Sequence, residues 1–286
     1  MPGGITTRPL VKGYSTFLER LPQLDSLHLT GDACFSLHQN SAPWARLRTC
    51  TFDQCRLGEI LDVLPLFANG STLIFEFMTR RGLDARHPCT TNIGSLALKW
   101  CDGDFTQVLL KSIQAPHLTK ISIGPEPEYY DPDESGFSLF TELSDLVVRS
   151  RCRLTHLVFS VGDWKAAPVI DALAGFLALS SAASIIELDV RAPALGAEVI
   201  GMLATRSGLL PRLRVLGVSC WTAFTHRIRD DSLRALHAAK PALEMLWIET
   251  PRSMPGITQK TVDNLRADGL RVLIFQRARH AHEYEF

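Results

Sequence analysis

The sequence predicts an α/β solenoid of leucine-rich repeats, with a curved parallel sheet on the concave face and helices on the convex face. Three observations predict it: a short apolar pattern that recurs, prolines at a fixed place before it, and helical periodicity between the copies. The pattern is an apolar residue followed by others three and five places later, as in RLTHLVFS (153–160), RLRVLGVS (212–219) and ALEMLWIE (242–249). A generic doubly wound α/β domain, which also alternates strands and helices, is the alternative fold.

The copies of this pattern have the spacing of leucine-rich repeats. They begin at Leu24, Leu47, Thr72, Ile93, Leu118, Leu154, Ile185, Leu213, Leu243 and Leu270. The mean interval is about 27 residues, and this repeat spans roughly 20–29. We expect the two later apolar residues of each strand to point inward and the residues between them to face solvent, because side chains alternate along a strand.

Two further signals accompany the pattern. Proline lies two places before the first apolar residue in several copies, where it ends a helix and favours an extended backbone: Pro22, Pro116, Pro211 and Pro241. Apolar residues three and four places apart predict helices near 57–64, 105–113, 139–147, 169–177, 233–236 and 262–265.

Particular residues are expected to hold these elements together. Asp230 and Thr258 are the predicted N-caps of the last two helices, and Asp104 with Gln107 forms a predicted capping box. Cys55 and Cys101 lie eight places after a first apolar residue, where this repeat places Asn or Cys to bond the backbone.

Composition narrows the class of protein. The 30 basic side chains balance 30 acidic ones, so no global field would concentrate nucleic acid or an anionic membrane. The run of lowest charge, 169–186, contains Asp171 and a serine-rich break, which argues against a membrane span. The N-terminus lacks the apolar stretch of a secretory signal, and the seven cysteines include no C-x-x-C pair. We therefore expect an intracellular protein, cytoplasmic or nuclear, with reduced thiols.

Motifs of known catalytic or metal chemistry are missing from the sequence. There is no P-loop, G-x-G-x-x-G, H-E-x-x-H or G-x-S-x-G. His280, His282 and Glu283 lie close together but fit a solvated tail better than a metal site. The stretch 124–136, GPEPEYYDPDESG, is expected to be an exposed loop. We predict no enzymatic activity, no cofactor and no metal.

Outward strand positions define the predicted partner-binding surface. Early strands offer a polar, mixed surface, which continues in the middle of the chain with His156, Glu187, Asp189 and Arg191. The last three strands instead present apolar residues at these positions: Val215, Met245, Trp247, Val272 and Ile274. Contiguous exposed apolar surface generally marks an interface, so these nine residues are the candidate contacts for a protein partner. The alternative is that the tail, 276–286, folds over the apolar part as a cap.

The phrases WARLRTCTFDQC (44–55), NIGSLALKWCDGDFTQVLLKSIQAPHLTKISI (92–123) and LVVRSRCRLTHLVFS (146–160) suggest a family. They resemble the leucine-rich-repeat region of F-box proteins from mushroom-forming fungi, and the resemblance covers most of the chain. In that family the repeats capture a target, while an N-terminal F-box engages the Skp1-type adaptor of a cullin ubiquitin ligase. The segment before Leu24 has no F-box pattern, so adaptor binding is expected only if an F-box is supplied upstream.

These observations give one prediction of organisation and function. Residues 1–23 form an N-terminal segment or cap, 24–275 a leucine-rich-repeat domain of about ten strands, and 276–286 a C-terminal tail. We expect an intracellular protein-binding module similar to the substrate-recognition part of an SCF-type ubiquitin ligase receptor, which binds a protein target on its concave face. The first alternative is a leucine-rich-repeat scaffold or regulator unconnected with ubiquitin. A remote alternative is an α/β hydrolytic enzyme.

Overall fold

The chain divides into two compact units, residues 1–154 (unit 1) and 155–286 (unit 2). A computed structural model describes residues 23–31, 44–79, 88–124, 132–160, 166–192, 195–219, 228–250 and 257–276. Nearly all of the predicted N-terminal segment and C-terminal tail lie outside these residues, as do Cys34 and Cys220. The five cysteines within them, Cys50, Cys55, Cys89, Cys101 and Cys152, are free thiols, as predicted.

Unit 1 contains a parallel sheet and three helices among its described residues. Its strands are β1 (Ser26–Thr30), β2 (Thr49–Asp53), β3 (Thr72–Glu76), β4 (Cys89–Thr90), β5 (Ser95–Lys99), β6 (Ile113–Gln114) and β7 (Lys120–Ile123). Its helices are α1 (Leu57–Val63), α2 (Gly103–Ser112) and α3 (Pro132–Ser150), with 3-10 turns at Trp44–Arg46 and Leu64–Leu66. The sheet has the order β1-β2-β3-β5-β7, and β4 pairs separately with β6.

Unit 2 has the same alternation of strand and helix. Its strands are β8 (His156–Ser160), β9 (Glu187–Arg191), β10 (Val215–Ser219), β11 (Met245–Thr250) and β12 (Arg271–Gln276). Its helices are α4 (Ala166–Leu177), α5 (Gly196–Thr205), α6 (Asp230–Ala239) and α7 (Gln259–Ala267), with a 3-10 turn at Ala182–Ser184. These strands are also parallel and follow the chain order, which confirms an α/β fold with parallel strands.

The core lies on one face of each sheet, which we call the inner face. In unit 1 it consists of Leu27, Cys50, Leu73, Leu96 and Ile121 in one row and Leu29, Phe52, Phe75, Leu98 and Ile123 in the next. The Phe75 ring centroid is 5.5 Å from that of Phe52 and 5.7 Å from that of Phe105 on α2, so α2 packs on this face. In unit 2 the corresponding rows are Leu157, Leu188, Leu216, Leu246 and Val272, then Phe159, Val190, Val218, Ile248 and Ile274.

Strand spacing in unit 1 is uniform. Four strands begin 23 residues apart, at Ser26, Thr49, Thr72 and Ser95. The residue after each of them has a positive φ: Gly31 at 65°, Gln54 at 54°, Phe77 at 50° and Trp100 at 57°. The apolar pattern predicted to start at Thr72 requires Phe75 and Phe77 to point inward. The inward residues are instead Leu73 and Phe75, and Phe77 is exposed, so the pattern starts two residues earlier than predicted. In unit 2 the strands begin at wider intervals, at His156, Glu187, Val215, Met245 and Arg271.

The predicted turn chemistry is confirmed in three places. The Cys55 thiol donates to the Leu29 carbonyl at 3.4 Å, and the Cys101 thiol donates to the Phe75 carbonyl at 3.5 Å. In both cases the cysteine bonds a strand carbonyl 26 residues earlier. The Thr258 hydroxyl accepts from the Thr261 N–H, as an N-cap does.

Other expectations about the helices were wrong. The N-cap of α2 is Asp102, which accepts from the Phe105 N–H at 2.6 Å, and Asp104 lies in the first turn. Asp230 is the first residue of α6 and not its N-cap, which is Arg229. The loop predicted for 124–136 ends earlier, because α3 begins at Pro132, where the fixed φ of proline suits a first helical turn; residues 125–131 lie outside the described part. Helix α5 was not predicted, although Val199, Ile200 and Leu203 have its periodicity.

None of the helices in the described ranges combines the length and the apolar character that crossing a bilayer requires.

Candidate protein-binding face of unit 2

The face of the unit 2 sheet opposite its inner face carries most of the predicted partner contacts; we call it the outward face of unit 2. The strand register arranges it in three rows across β8 to β12. The first row is His156, Glu187, Val215, Met245 and Arg271; the central row is Val158, Asp189, Gly217, Trp247 and Leu273; the third row is Ser160, Arg191, Ser219, Glu249 and Phe275. The structure thus brings seven of the nine predicted residues onto one surface.

Trp247 lies flat over the neighbouring strand. Its indole occupies the space that a side chain at Gly217 would fill: a Cβ there would be 2.0 Å from Trp247 Cε2 and 2.5 Å from its Nε1. Only glycine at this position lets the ring reach across β10 toward Asp189, which pairs with Gly217 in the register. The Arg191 guanidinium carbon is 5.9 Å from the indole centroid, in cation–π geometry. Asp189, Arg191, Gly217 and Trp247 therefore form one compact cluster.

Asp189 was expected to be exposed but is buried, with 4% of its surface accessible. Its Oδ2 accepts from Arg191 Nε at 2.9 Å, whereas its enclosed Oδ1 has no hydrogen-bond donor among the described residues. Burial raises the pKa of Asp189 to about 6; Arg191 opposes this shift, and Glu187 and Glu249 add to it. A carboxylate that is desolvated and only half satisfied is costly to keep in a fold, and such groups concentrate at functional sites.

Charged residues also line the rest of this face. His156 Nε2 lies 3.4 Å from Glu187 Oε2 in the first row, and the Ser219 hydroxyl donates to Glu249 Oε2 at 2.7 Å in the third. The face therefore combines apolar area from Val215, Met245 and Trp247 with acidic groups on both sides.

Two predicted contacts, Val272 and Ile274, lie on the other face of the sheet. Val272 is 1% exposed and pairs with Leu246; Ile274 pairs with Ile248 and is 39% exposed on the last strand of the register. The cause is a one-residue change in spacing. Leu243 is followed by Glu244 before β11 begins, whereas β12 begins directly after Leu270. A shift of one residue exchanges every side chain of a strand between faces.

The residues that β12 contributes to the outward face are Leu273 and Phe275, which sequence reasoning missed. Phe275 is 52% exposed. The turn before β12 contains Gly269, at φ 95°, in place of the Pro-x-Leu entry that precedes β10 and β11.

The outward face of unit 1 has a different character. Its three rows are Ser26, Thr49, Thr72, Ser95 and Lys120; His28, Thr51, Ile74, Ala97 and Ser122; and Thr30, Asp53, Glu76 and Lys99. Lys99 Nζ lies 3.1 Å from Glu76 Oε1, and His28 Nε2 lies 3.9 Å from Asp53 Oδ2. Burial raises the pKa of Asp53, while His28 lowers it and Glu76 raises it further. Hydroxyl groups and ion pairs give this surface a solvent-compatible composition.

Fold and surface together define an α/β protein of two units whose parallel strands expose an apolar and acidic face in unit 2. Compared with known proteins, the chain matches no protein-family model and no curated protein. Across the described ranges, no group of three or more His, Cys, Asp or Glu side chains is placed to hold a metal ion.

Proposed function

We propose that this chain is a leucine-rich-repeat protein that binds a protein partner through the outward face of unit 2. Three features of unit 1 support the repeat: strands spaced 23 residues apart, a positive φ after each of them, and cysteine thiols that bond the strand carbonyl 26 residues earlier. In a leucine-rich-repeat solenoid the outward strand face is the concave surface, which such proteins use for binding.

One observation carries the assignment of the binding surface. Trp247 is only half-buried although it is the largest side chain on the outward face of unit 2, and a glycine beneath it leaves room for the ring to lie flat. Aromatic side chains in this kind of setting are the usual anchors of protein interfaces. Val215 and Met245, which are also half-buried, extend the apolar area beside it.

The partner we propose is a target protein, as in the substrate-recognition part of an SCF-type ubiquitin ligase receptor. This part of the proposal rests on the sequence resemblance described above. A Skp1-type adaptor would bind through an F-box supplied upstream. A leucine-rich-repeat scaffold without a ubiquitin role would use the same face.

Affinity capture from a native extract tests the proposal. The full chain is immobilised as wild type, as Met245→Asp and as Ala235→Asp, and bound proteins are quantified with Skp1-type and cullin subunits scored explicitly. Met245 is on the outward face, whereas Ala235 is exposed on α6, so both variants place the same charge on the surface of unit 2. We expect Met245→Asp to lose a partner that Ala235→Asp retains.

The outcomes separate the two parts of the proposal. A target recovered together with adaptor and cullin supports a ubiquitin ligase receptor, whereas a target recovered without them supports binding by this face and agrees with both the receptor and the scaffold. Equal recovery by both variants would show that the outward face of unit 2 is not the binding surface.

A further inference from the structure

The cluster around Asp189 already holds one guanidinium group, that of Arg191. Arg191 places its guanidinium beside the Trp247 ring and donates through Nε to one carboxylate oxygen of Asp189. The other oxygen, Oδ1, receives no hydrogen bond from the part of the chain that the structure describes, although the residue is more than nine-tenths buried. An intramolecular guanidinium therefore satisfies only half of this carboxylate.

The position of Arg191 on the strand limits the hydrogen bonds that it donates to Asp189. It lies two residues from Asp189 on the same strand and donates to Oδ2 through Nε. An arginine from another chain, approaching from above the face, can direct two parallel N–H groups at both oxygens. Such paired hydrogen bonds are stronger and more directional than a single one.

The charge of the outward face favours a cation. Glu187 and Glu249 lie near enough to Asp189 to influence its ionisation, so the carboxylates of these three residues are set against one cation of the cluster, Arg191. The Trp247 ring adds an aromatic surface on which a planar guanidinium stacks. An acidic or neutral partner side chain would leave this excess negative charge uncompensated.

We propose that Asp189, Trp247 and Gly217 form a specific pocket for an arginine side chain of the partner protein, which displaces the guanidinium of Arg191 and bonds both oxygens of Asp189. This inference rests on the proposed function, since it specifies the chemistry that the outward face of unit 2 recognises. In this pocket the partner arginine takes the place of the Arg191 side chain, which is 31% exposed. Arg191 is thus an internal competitor that keeps the pocket closed until a partner arginine arrives.

Binding of this kind depends on pH in a defined direction. Asp189 must be ionised, so affinity falls as pH drops through about 6, where its carboxyl takes up a proton. The charged and titratable groups that face it are Glu187 and Arg191 on its own strand, Glu249 on β11 and His156 on β8; β10 contributes Val215, Gly217 and Ser219, which do not titrate in this range.

Short peptides test the pocket independently of any partner. The full chain, labelled with ¹⁵N, is titrated at pH 8 with acetyl-Gly-Arg-Gly-amide, its lysine analogue and its citrulline analogue, which is neutral and nearly isosteric with arginine. The readout is the indole N–H signal of Trp247, identified by its absence in Trp247→Phe. We expect saturable binding of the arginine peptide, several-fold weaker binding of the lysine peptide, and at least tenfold weaker binding of the citrulline peptide.

Three variants then separate a binding pocket from a structural cluster. Asp189→Asn should weaken the arginine peptide at least tenfold, while Glu244→Gln, which removes the same charge from an exposed residue outside the face, should leave it unchanged. Arg191→Ala should strengthen binding several-fold, because it removes the internal competitor; a merely structural Arg191 would give no gain. Thermal melting verifies that each variant is folded.

Equal binding of the citrulline and arginine peptides, no saturable binding of the arginine peptide, or weaker binding by Arg191→Ala would overturn the pocket. These results are distinguishable from failure of the proposed function, because partner capture could still depend on Met245 while the peptides fail to bind. The converse result, peptide binding without a captured partner, would retain the pocket and remove the partner assignment.

Discussion

The outward faces of the two units differ although their inner faces are built alike. Both inner faces are rows of buried apolar residues. In unit 1 the outward side chains are mostly small hydroxyls and paired charges, and β1, β2, β3 and β5 begin at uniform 23-residue intervals. In unit 2 the intervals are wider, and the outward face carries Trp247, Met245 and a buried Asp189. The inner faces are alike because both pack a core. The outward faces differ in composition, which distinguishes the solvated surface of unit 1 from the proposed interface of unit 2.

The largest expected effect distinguishes an inner aromatic residue from an outward one. Phe75 is fully buried between Phe52 and Phe105, so Phe75→Ala should cost about 3–5 kcal/mol of unfolding free energy. Trp247→Ala should cost only about 1 kcal/mol, because the ring is half-buried on an open face. Urea denaturation of both variants measures the two costs. If Trp247→Ala cost as much as Phe75→Ala, Trp247 would be a core residue, as expected if the tail, 276–286, folded over it as a cap.

The second effect compares buried Asp189 in unit 2 with partly buried Asp53 in unit 1 through the pH dependence of stability. The pKa of Asp189 in the fold, about 6, is above its usual value, so the folded state holds the proton more tightly and loses stability as pH rises from 4 to 7. Asn does not titrate. The stability of Asp189→Asn relative to wild type should therefore increase across this range by on the order of 2 kcal/mol.

Asp53→Asn in unit 1 is the matched variant. The pKa of Asp53 is also raised by burial, but its side chain is 20% exposed and has His28 beside it. The relative stability of this variant should change in the same direction by less. Both series are measured by urea denaturation between pH 4 and 7. A relative stability of Asp189→Asn that is flat or falls with pH would mean that Asp189 is not desolvated in the fold.

A smaller effect tests how the indole ring of Trp247 packs over Gly217. Gly217→Ala places a methyl group within 2.0 Å of Trp247, so the ring must lift from β10, at a cost of about 1–2 kcal/mol. Gly201→Ala on α5 makes the same substitution where no atom lies within 4 Å and should be neutral or stabilising, since alanine favours helix. The Trp247 indole N–H signal should shift in Gly217→Ala alone. An unchanged signal there would contradict the described packing.

The smallest effect concerns the charges on the outward face of unit 1. The Lys99–Glu76 pair is partly exposed, with 19% and 23% of the side chains accessible. A double-mutant cycle with Lys99→Met and Glu76→Gln should give a coupling energy below about 1 kcal/mol. Neither variant should reduce partner capture. A reduction in capture would extend the binding surface into unit 1.

Much of the fold could be predicted from sequence because its signals are local. Strand–helix alternation, the thiol bonds of Cys55 and Cys101 and the cap at Thr258 each depend on residues close to a recognisable pattern. The phase of β12 could not be predicted in the same way. β12 begins directly after Leu270, one residue sooner than β11 begins after Leu243, so the inward and outward side chains of β12 are exchanged. The alternation of apolar residues in β12 is compatible with either phase.

Strand positions in the sequence predicted which residues belong to the candidate site, but not which of their side chains contact one another. Outward positions identified Trp247, Asp189 and Arg191 as candidates. Their association depends on Gly217, a residue without a side chain that gives no signal of its own in the sequence. The burial of Asp189 follows from side chains on other strands, which alternation along one strand does not describe.

Quantitative partner capture by Trp247→Ala and Ile74→Ala tests the central claim most directly. Both residues are apolar and half-buried in the central row of an outward face, Trp247 in unit 2 and Ile74 in unit 1. With folding verified by melting, we expect Trp247→Ala to lower recovery of the partner at least tenfold and Ile74→Ala to retain it. Loss of the partner with Ile74→Ala and full recovery with Trp247→Ala would contradict the assignment of binding to unit 2.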